Sequence, residues 1–358
     1  MTLHFFHRYD RLSASFRARC ECYAPYLEKA GIAYQFHSLL DSRYLKDKYA
    51  TGKVSLWGVL LAYVKQARAL LTVGRSDLAI VHLELFPFFP GIFEALLRWR
   101  GIRLVYDFDD PFFHFYDQHR SALVRFLFGN KVRKIIRNAT DIIAGNKYLA
   151  SYAASESREA TIIPSVIDLE RYSSVKVFKT TSAPFTIGWI GTPSTVPHLR
   201  AAQRPLTEFC KGRNARIVVV GSGTEGMEDF PAEIRPWLES NEVSDLLEFD
   251  VGVMPLPDNA FNRGKGAMKI MQYMACGIPT IASPVGFNCE IVRHGENGYL
   301  AYSDEDWMRY LTLLYEQRDL CPKLGAEGRR TVEVDFCLQV TAPRFIEFIQ
   351  HVSQESAT

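Results

Sequence analysis

Short apolar segments alternate with amphipathic helical segments along this chain, and that alternation restricts its fold more than any other feature. It is clearest in the stretch that begins DVGVMPL at Asp250, continues through a glycine-flanked loop and the helix AMKIMQYMA, and ends in the apolar segment TIA. Strands that are apolar along their whole length are typical of parallel sheets covered on both faces. Because the same rhythm recurs in both halves, the sequence predicts an α/β protein with doubly wound parallel sheets. At 358 residues the chain is long for one core, so two domains are expected.

The start of the helix AMKIMQYMA is a candidate phosphate site. The N–H groups of a first helical turn and the helix dipole both favour an anion there. Lys265 and Lys269 are four residues apart, so we expect them near one another at this helix start, within reach of an oxyanion. The spacing fits a core helix with two solvated lysines equally well, because a strand–loop–helix unit without a GxGxxG or Walker pattern is a weak signal.

A run of acids, YDFDDPFF, follows another predicted strand and is the second candidate site. Three carboxylates within four residues repel one another unless a cation, a sugar hydroxyl or an arginine answers them. Ligands of doubly wound sheets bind beyond the carboxyl ends of the strands, which is where Glu84, Asp107, Asp109 and Asp110 are expected. The alternative is structural, with Asp110 capping a helix and one acid in a salt bridge.

The two halves of the chain differ in charge. Residues 1–167 carry 23 Lys or Arg against 15 Asp or Glu, and the rest carries 19 against 25, so a basic first half precedes an acidic second half. No nucleic-acid recognition motif or zinc finger accompanies the basic half, so we expect no nucleic-acid partner. An anionic membrane surface fits better, because residues 123–138 predict one amphipathic helix with Arg133, Lys134 and Arg137 on its basic side. An ordinary core-facing helix with a solvated basic side explains the same pattern.

The seven cysteines are scattered without a CxxC pair, which indicates reduced thiols and no zinc site. The N-terminus lacks the apolar core of a secretory signal, and the longest apolar run, Val54 to Val64, is too short to span a bilayer. We therefore expect a cytoplasmic protein, peripheral on the inner face of the plasma membrane.

The block from Gly264 to Glu290 resembles the signature of the family-4 glycosyltransferases. In many members Glu-Gly-Phe-Gly-Leu is followed, after three residues, by Glu-Ala-Met-Ala-x-Gly-x-Pro. Aligning MACGIP places Gly264 and Gln272 at the two signature acids, so both acids are replaced. The sequence is more similar to a bacterial sub-branch with a GKxxxK loop, QYMACGIP and a YDFDD run. The resemblance implies the GT-B architecture, an α/β fold with two Rossmann-like doubly wound domains facing a cleft.

The resemblance also divides the chain. It implies an acceptor-side domain over residues 1–167, a donor-binding domain over residues 168–339, and a last helix, about 340–358, that packs back on the first domain. For the donor, it implies contacts from Lys265, Gly266 and Lys269 in the GKxxxK loop and from Gln272 to the ribose. Gly191, Thr192 and Thr195, in the turn of the first βα unit of the second domain, would face the donor phosphates.

On the acceptor side, the resemblance makes Asp109 and Asp110 the catalytic candidates, in roles that position the acceptor hydroxyl. Arg17 lies in SFRAR, which is similar to an SxRxR run of the sub-branch, and is a candidate acceptor or phosphate contact together with Glu84. GT-B enzymes generally work without an essential metal, so no metal and no cofactor are expected.

The implied function is transfer of a hexose from a nucleotide-diphosphate sugar to an acceptor hydroxyl, with retention, in bacterial cell-envelope or surface polysaccharide synthesis. The expected acceptor is a lipid-linked or envelope glycan. Two alternatives remain. The two lost acids favour a catalytically degenerate, nucleotide-binding partner subunit of another glycosyltransferase, and a nucleotide-sugar epimerase has the same fold.

Overall fold

All named strands pair in parallel with their neighbours in the computed structural model, which describes residues 1–51, 54–178 and 183–354. They form two six-stranded sheets, one in each of two structural units. Unit 1 contains Met1–Ser165, Gly264–Gly266 and the segment from Thr341, whereas unit 2 contains Val166–Arg263 and Ala267–Val340.

The sheet of unit 1 has the strand order β2-β1-β3-β4-β5-β6. Its strands are β1 (Thr2–Tyr9), β2 (Ala33–Leu40), β3 (Leu78–His82), β4 (Arg103–Phe108), β5 (Asp141–Ala144) and β6 (Thr161–Ile162). The helices that connect them are α1 (Ala14–Arg19), α2 (Ala24–Lys29), α3 (Ser42–Thr51), α4 (Leu56–Thr72), α5 (Ile92–Trp99), α6 (Phe113–Asp117), α7 (Ala122–Phe128), α8 (Lys131–Asn138) and α9 (Lys147–Ala154).

The sheet of unit 2 has the order β12-β11-β10-β7-β8-β9. Its strands are β7 (Phe185–Ile190), β8 (Ala215–Val220), β9 (Glu233–Arg235), β10 (Val251–Met254), β11 (Thr280–Ala282) and β12 (Gly298–Leu300). The remaining helices are α10 (Val196–Arg200), α11 (Gln203–Cys210), α12 (Glu242–Leu246), α13 (Ala260–Arg263), α14 (Met268–Ala275), α15 (Asn288–Ile291), α16 (Asp304–Glu316), α17 (Leu320–Thr331) and α18 (Leu338–Gln354).

Both faces of the unit 2 sheet are covered, as the wholly apolar strands predicted. Successive side chains of a strand point to opposite faces. Along β8, Val218 and Val220 pack in one buried cluster with α14, while Ile217 and Val219 pack in the other with α11 and α16. Apolar side chains at every strand position are therefore needed on both sides, and this is the physical basis of the doubly wound sheet.

In unit 1, α18 supplies part of the cover of the sheet. Phe345 of α18 stacks on Tyr23 with ring centroids 4.1 Å apart and lies 6.4 Å from the ring of Phe5 on β1. Helix α18 therefore begins in unit 2 and contributes its aromatic side chain to the core of unit 1.

One predicted helix is wrong. Residues 123–138 form two helices, α7 and α8, separated at Gly129 and Asn130 rather than one continuous amphipathic helix. The predicted apolar face is divided as well. Val132, Ile135 and Ile136 of α8 are buried in the core of unit 1, whereas no residue of α7 is buried.

Candidate active site

Asp109 lies at the carboxyl edge of the unit 1 sheet, directly after β4. Its Oδ1 is 2.8 Å from Nε2 of His82, the last residue of β3. Strands β3 and β4 are neighbours, with His82 opposite Asp107, so parallel pairing brings the histidine to the acid that follows. The side chain of Asp109 is 14% exposed and that of His82 is 1% exposed, so the carboxylate is the accessible member of the pair.

The second oxygen of Asp109, Oδ2, has weaker contacts. Among the described residues, its hydrogen-bond partners are the hydroxyl groups of Ser15 at 3.4 Å and Ser165 at 3.5 Å. Both distances are at the long end of the hydrogen-bond range. The segment that holds Gly266 passes close by, since a Cβ built at Gly266 would lie 3.6 Å from the carbonyl oxygen of Asp109. Oδ2 of Asp109 can therefore accept a further hydrogen bond.

A second histidine, His7 of β1, completes this cluster. Its ring stacks on His82 with centroids 4.2 Å apart, and its Nε2 is 3.4 Å from the Ser15 hydroxyl. Burial is the largest cause that holds the pKa of His7 well below its usual value, and the neighbouring His82 is the next largest. Burial by itself would raise the pKa of Asp109, but His82, Arg19 and His7 outweigh it and hold that pKa below its usual range. Asp109 is therefore an ionised hydrogen-bond acceptor.

The neighbouring acid, Asp107, is neutralised by Arg19. Arg19 donates to both carboxylate oxygens of Asp107 and also to the carbonyl of Ile163 at 2.5 Å. Both side chains of the pair are almost completely buried. The guanidinium of Arg19 thus reduces the charge repulsion within the acid run by forked hydrogen bonds to Asp107. Asp110, which is half-buried, follows where the chain turns towards α6.

Sequence reasoning missed His7, His82 and Arg19. His7 and His82 lie near the carboxyl ends of β1 and β3, where the rule applied to the acids applies equally, but the predicted strand through His82 extended to Leu85 and hid this position. Arg19 lies in the same SFRAR run as Arg17. Which of the two arginines reaches the acids depends on the path of α1 and could not be deduced from spacing.

Arg17, predicted as an acceptor or phosphate contact, lies in α1 and binds the loop before it. Its Nη1 donates to the carbonyl oxygens of Arg11 at 2.9 Å and Leu12 at 3.2 Å, so the guanidinium stabilises the loop before α1. Arg19, two residues later, has the buried position.

Glu84 also differs from its prediction as an acceptor or phosphate contact. Its carboxylate is fully buried, 2.5 Å from Lys131 Nζ and 2.7 Å from the Tyr116 hydroxyl, with Arg8 Nη2 at 3.3 Å. A buried carboxylate needs such partners, because desolvation without them is costly. Glu84 is therefore a structural ion-pair partner that joins β3 to α8.

In unit 2, the turn after β7 brings together Gly191, Thr192 and Thr195. Thr192 and Thr195 form a reciprocal capping box around the 3-10 turn Pro193–Thr195. A Cβ at Gly191 would collide with the ring of Trp189, so the backbone follows that ring closely. This turn is ordered by its own side chains before any ligand binds.

Lys269 lies beside the same tryptophan. Its Nζ is 5.3 Å from the centroid of the Trp189 ring, so the predicted phosphate-binding lysine and the Gly191 turn share one neighbour in unit 2. Helix α14 begins at Met268 after Ala267, whose φ of 50° is uncommon for a residue with a side chain. Lys265 therefore precedes the helix, and its closeness to Lys269 stays a prediction.

Gln272, the predicted ribose contact, belongs to a hydrogen-bond chain. Its Nε2 donates to the Tyr172 hydroxyl at 2.9 Å, and that hydroxyl donates to Glu242 Oε1 at 2.5 Å. Glu242 also accepts from Trp237 Nε1 at 2.6 Å. Burial and Glu242 raise the pKa of Tyr172, so the phenol keeps its proton. One N–H of the Gln272 amide is thus used by Tyr172, so its carbonyl oxygen and its second N–H are the groups that a ligand can use.

Gly264, which stands at the first signature acid, has a packing reason to lack a side chain. A Cβ there would lie 2.8 Å from Pro111 and 2.9 Å from the ring of Tyr148. Its carbonyl accepts a hydrogen bond from Asn146 Nδ2 at 2.9 Å. At the position where the signature acid is replaced, the backbone of Gly264 therefore packs closely on Pro111 and Tyr148 within unit 1.

The predicted membrane-contact residues are not alike. Arg133 and Arg137 both pair with Glu156, whose side chain is 2% exposed, so one of their two positive charges is neutralised within the protein. Lys134 between them is exposed. The basic side of α8 is therefore weaker than its sequence indicates.

No helix within residues 1–51, 54–178 and 183–354 is long and apolar enough to cross a bilayer. Over the same ranges, no group of three or more His, Cys, Asp or Glu side chains is arranged to hold a metal ion.

The comparisons with known proteins agree with this geometry. Residues 186–317, which lie in unit 2 except for Gly264–Gly266, match the family model described as glycosyl transferases group 1, a little over a third of the chain. Sucrose-phosphate synthase from Thermosynechococcus elongatus has a TM-score of 0.76 at 13% identity, with both chains covered completely. Anabaena HepE in complex with UDP has a TM-score of 0.67 at 14% identity, covering 98% of this chain and 100% of that one. The chain has the GT-B fold.

The predicted fold class is thereby confirmed. A curated relative, the putative glycosyltransferase EpsD of Bacillus subtilis (strain 168), is 34% identical over 94 residues. That match covers 25% of this chain and only 23% of the relative, so less than a quarter of that protein is represented. Together the family model and these relatives support a GT-B glycosyltransferase.

Proposed function

We propose that this protein transfers a hexose from a nucleotide-diphosphate sugar to the hydroxyl group of an acceptor. The observation that carries the proposal is Asp109. Its Oδ1 is held by His82 at 2.8 Å, and its Oδ2 has only long contacts among the described residues, with the Gly266 segment beside it. An ionised, oriented and partly exposed carboxylate is what an acceptor hydroxyl requires.

The leaving diphosphate develops negative charge that must be stabilised. Lys269 beside Trp189, Lys265, Gly266 and the start of α14 are the groups proposed to meet it. The turn of Gly191, Thr192 and Thr195 adds backbone and hydroxyl donors next to Lys269. We propose that these groups suffice without a metal ion.

For the donor base, UDP is the first candidate. The support is that HepE, which shares this fold, has been crystallised with UDP and with UDP-glucose. Gln272 is proposed to accept a hydrogen bond from a ribose hydroxyl through Oε1, while one of its two amide N–H groups donates to Tyr172. A neutral amide accepts less strongly than the usual carboxylate.

The remaining parts of the proposal concern outcome and setting. We propose retention at the anomeric carbon, with Asp109 and Asp110 positioning the acceptor rather than forming a bond to the sugar. The proposed setting is bacterial cell-envelope or surface polysaccharide synthesis by the sub-branch with YDFDD and GKxxxK, on the cytoplasmic side of the membrane and with a lipid-linked or envelope glycan as acceptor.

The donor site is tested by thermal shift of the purified protein against UDP, GDP, ADP, CMP and dTDP. A ligand at a hundred times its dissociation constant stabilises the fold by about 2.7 kcal/mol. We expect one diphosphate to raise the melting temperature, Lys269→Ala to weaken the shift, and Lys323→Ala, an exposed lysine of unit 2, to leave it unchanged. No shift with any nucleotide contradicts the donor site.

Transfer itself is tested with the nucleotide sugar of the base so identified and a panel of hydroxyl acceptors. Asp109→Asn is expected to lose transfer while the nucleotide shift remains. A protein that binds nucleotide but never transfers, alone or with an acceptor, would instead be the partner subunit that the replaced acids at Gly264 and Gln272 favour. Conversion of the donor sugar without any acceptor would identify an epimerase.

A further inference from the structure

The outer side of α4 is apolar and exposed. Trp57 is 76% exposed and Leu61 is 67% exposed, although the inner side of the same helix packs Tyr63 and Leu70 against the core of unit 1. A helix that is apolar all round is ordinarily buried on all sides. Here, within the described residues, the outer side has no cover.

Exposed apolar side chains also occur on the loop that follows β3 and on α7, and contacts of α4 with the loop and of the loop with α7 make these elements neighbours. Tyr63 of α4 lies 5.9 Å from Phe89, and the adjacent Phe88 lies 6.2 Å from Phe128 of α7. On α7, Phe126 is 86% exposed. Six exposed side chains on these elements form what we call the apolar ridge: Trp57, Leu61, Phe88, Phe89, Phe126 and Leu127.

The topology places the apolar ridge near the acceptor site. Crossovers from β2 to β3, β3 to β4 and β4 to β5 run in one direction along the sheet, so right-handed connection puts their helices on one face. Helix α4 runs back towards the start of β3, so its first turns lie at the carboxyl edge. Phe88 and α7 follow the carboxyl ends of β3 and β4. Asp109 lies at the same edge of the same unit.

The exposed charged side chains in the stretch of sequence that contains the apolar ridge all have one sign. Residues 54–134, all described, include seven exposed Lys or Arg and no exposed Asp or Glu. The acids of this segment are buried or half-buried, as with Glu84 and Asp107. The exposed cations are Lys65, Arg68, Arg75, Arg98, Arg120, Arg125 and Lys134.

We propose that the apolar ridge inserts into the interface of an anionic lipid bilayer, so that a lipid-linked acceptor presents its hydroxyl to Asp109 from the membrane. Aromatic side chains flanked by cations match the boundary between acyl chains and anionic headgroups. A second copy of the chain fits less well, because it brings the same positive charge to the contact. The contact with the bilayer is inferred from the exposed side chains of the apolar ridge and its cations, whereas the lipid-linked acceptor rests on the proposed function.

This surface differs from the one that sequence indicated. Arg133 and Arg137 are paired with Glu156, whereas α4 and α7 carry exposed apolar side chains and exposed cations together. The insertion of large apolar groups, rather than a basic stripe alone, is the distinguishing feature.

The test is co-sedimentation of the full chain with phosphatidylcholine vesicles, with and without phosphatidylglycerol. We expect binding to the anionic vesicles. Trp57→Ser combined with Phe126→Ser should weaken it at least about tenfold, a factor equivalent to less than one large buried side chain. The control pair Tyr302→Ser and Val334→Ser, exposed in unit 2, should have no effect. Arg120→Glu with Arg125→Glu should remove the preference for anionic lipid, whereas Arg309→Glu with Arg330→Glu should not.

Equal binding by wild type and the Trp57/Phe126 variant, or no binding at all, overturns the proposal. So does a wild-type dimer in light scattering that this variant dissociates, because the ridge would then be a contact between copies. The nucleotide thermal shift of each variant is measured on the same sample. A normal shift with failed vesicle binding refutes only the bilayer contact, while vesicle binding without any nucleotide shift refutes only the proposed function.

Discussion

Replacing His82 with Phe removes the group that holds Asp109 while keeping a ring of similar size in the buried position. The lost contact is the 2.8 Å hydrogen bond to Oδ1, made to a carboxylate whose side chain is 14% exposed. A hydrogen bond to a charged group contributes about 1.5–3 kcal/mol. If Asp109 orients the acceptor, that loss appears in the transition state, and kcat/KM for the acceptor falls roughly 10- to 150-fold.

The pH dependence separates this positioning role from a general loss of stability. His82 is among the groups that hold the pKa of Asp109 below its usual range, against the effect of burial. Without it the pKa of Asp109 rises, and the carboxylate is lost at higher pH. The acid limb of the pH–rate profile should therefore move to higher pH in His82→Phe. His82→Gln, which can still donate a hydrogen bond, should recover part of the rate.

The assay is initial-rate transfer at several pH values, with melting temperatures measured on the same samples. His4→Phe is the matched control. His4 is a buried histidine of β1 whose Nδ1 is 3.0 Å from His37 Nε2, and its contacts do not include Asp109. Its replacement should change stability but leave the acid limb in place. Wild-type kcat/KM and an unmoved acid limb in His82→Phe would refute the reasoning.

Further predictions concern stability and are measured by denaturant unfolding. Arg19→Met should cost about 3–5 kcal/mol because it leaves Asp107 buried and unpaired, and a cost below about 1 kcal/mol would contradict that pairing. His7 stays neutral when folded, so the unfolded chain takes up the proton as pH falls through 6.5. Stability is then lost below that value, by about 1.4 kcal/mol one pH unit lower, and His7→Phe should flatten the slope. Gly286→Ala meets a backbone carbonyl at a φ of 53° and should cost more than about 2 kcal/mol, whereas Gly295→Ala, with open space at 81°, should cost only about 1 kcal/mol.

Much of the fold could be predicted because it depends on local pattern. The wholly apolar strands β10 and β11 and the stop of α14 at Gly277, with a φ of 68°, follow from neighbouring residues. The break between α7 and α8 could not be predicted from the local pattern, because the apolar spacing continues across Gly129 although the helix does not.

The sequence predicted where the candidate site lies but not which side chains pair with one another there. The rule for carboxyl ends of parallel strands led to Asp109 and equally to Glu84, yet one is partly exposed and the other is buried beside Lys131. Sequence distance hides these pairings. Ser15 lies 94 residues from Asp109, and Lys131 lies 47 residues from Glu84.

The sequence by itself determined that parallel sheets form and which strand ends carry charged groups, because periodicity and strand polarity are properties of short segments. Only the tertiary structure decided which charged side chains pair with one another. The strand order β2-β1-β3-β4 places His7, His82 and Asp109 at one edge, and packing takes Arg19 rather than Arg17 to the acids. Burial then sets what each group does, because a carboxylate removed from water must be paired, whereas one left partly exposed can bind a ligand.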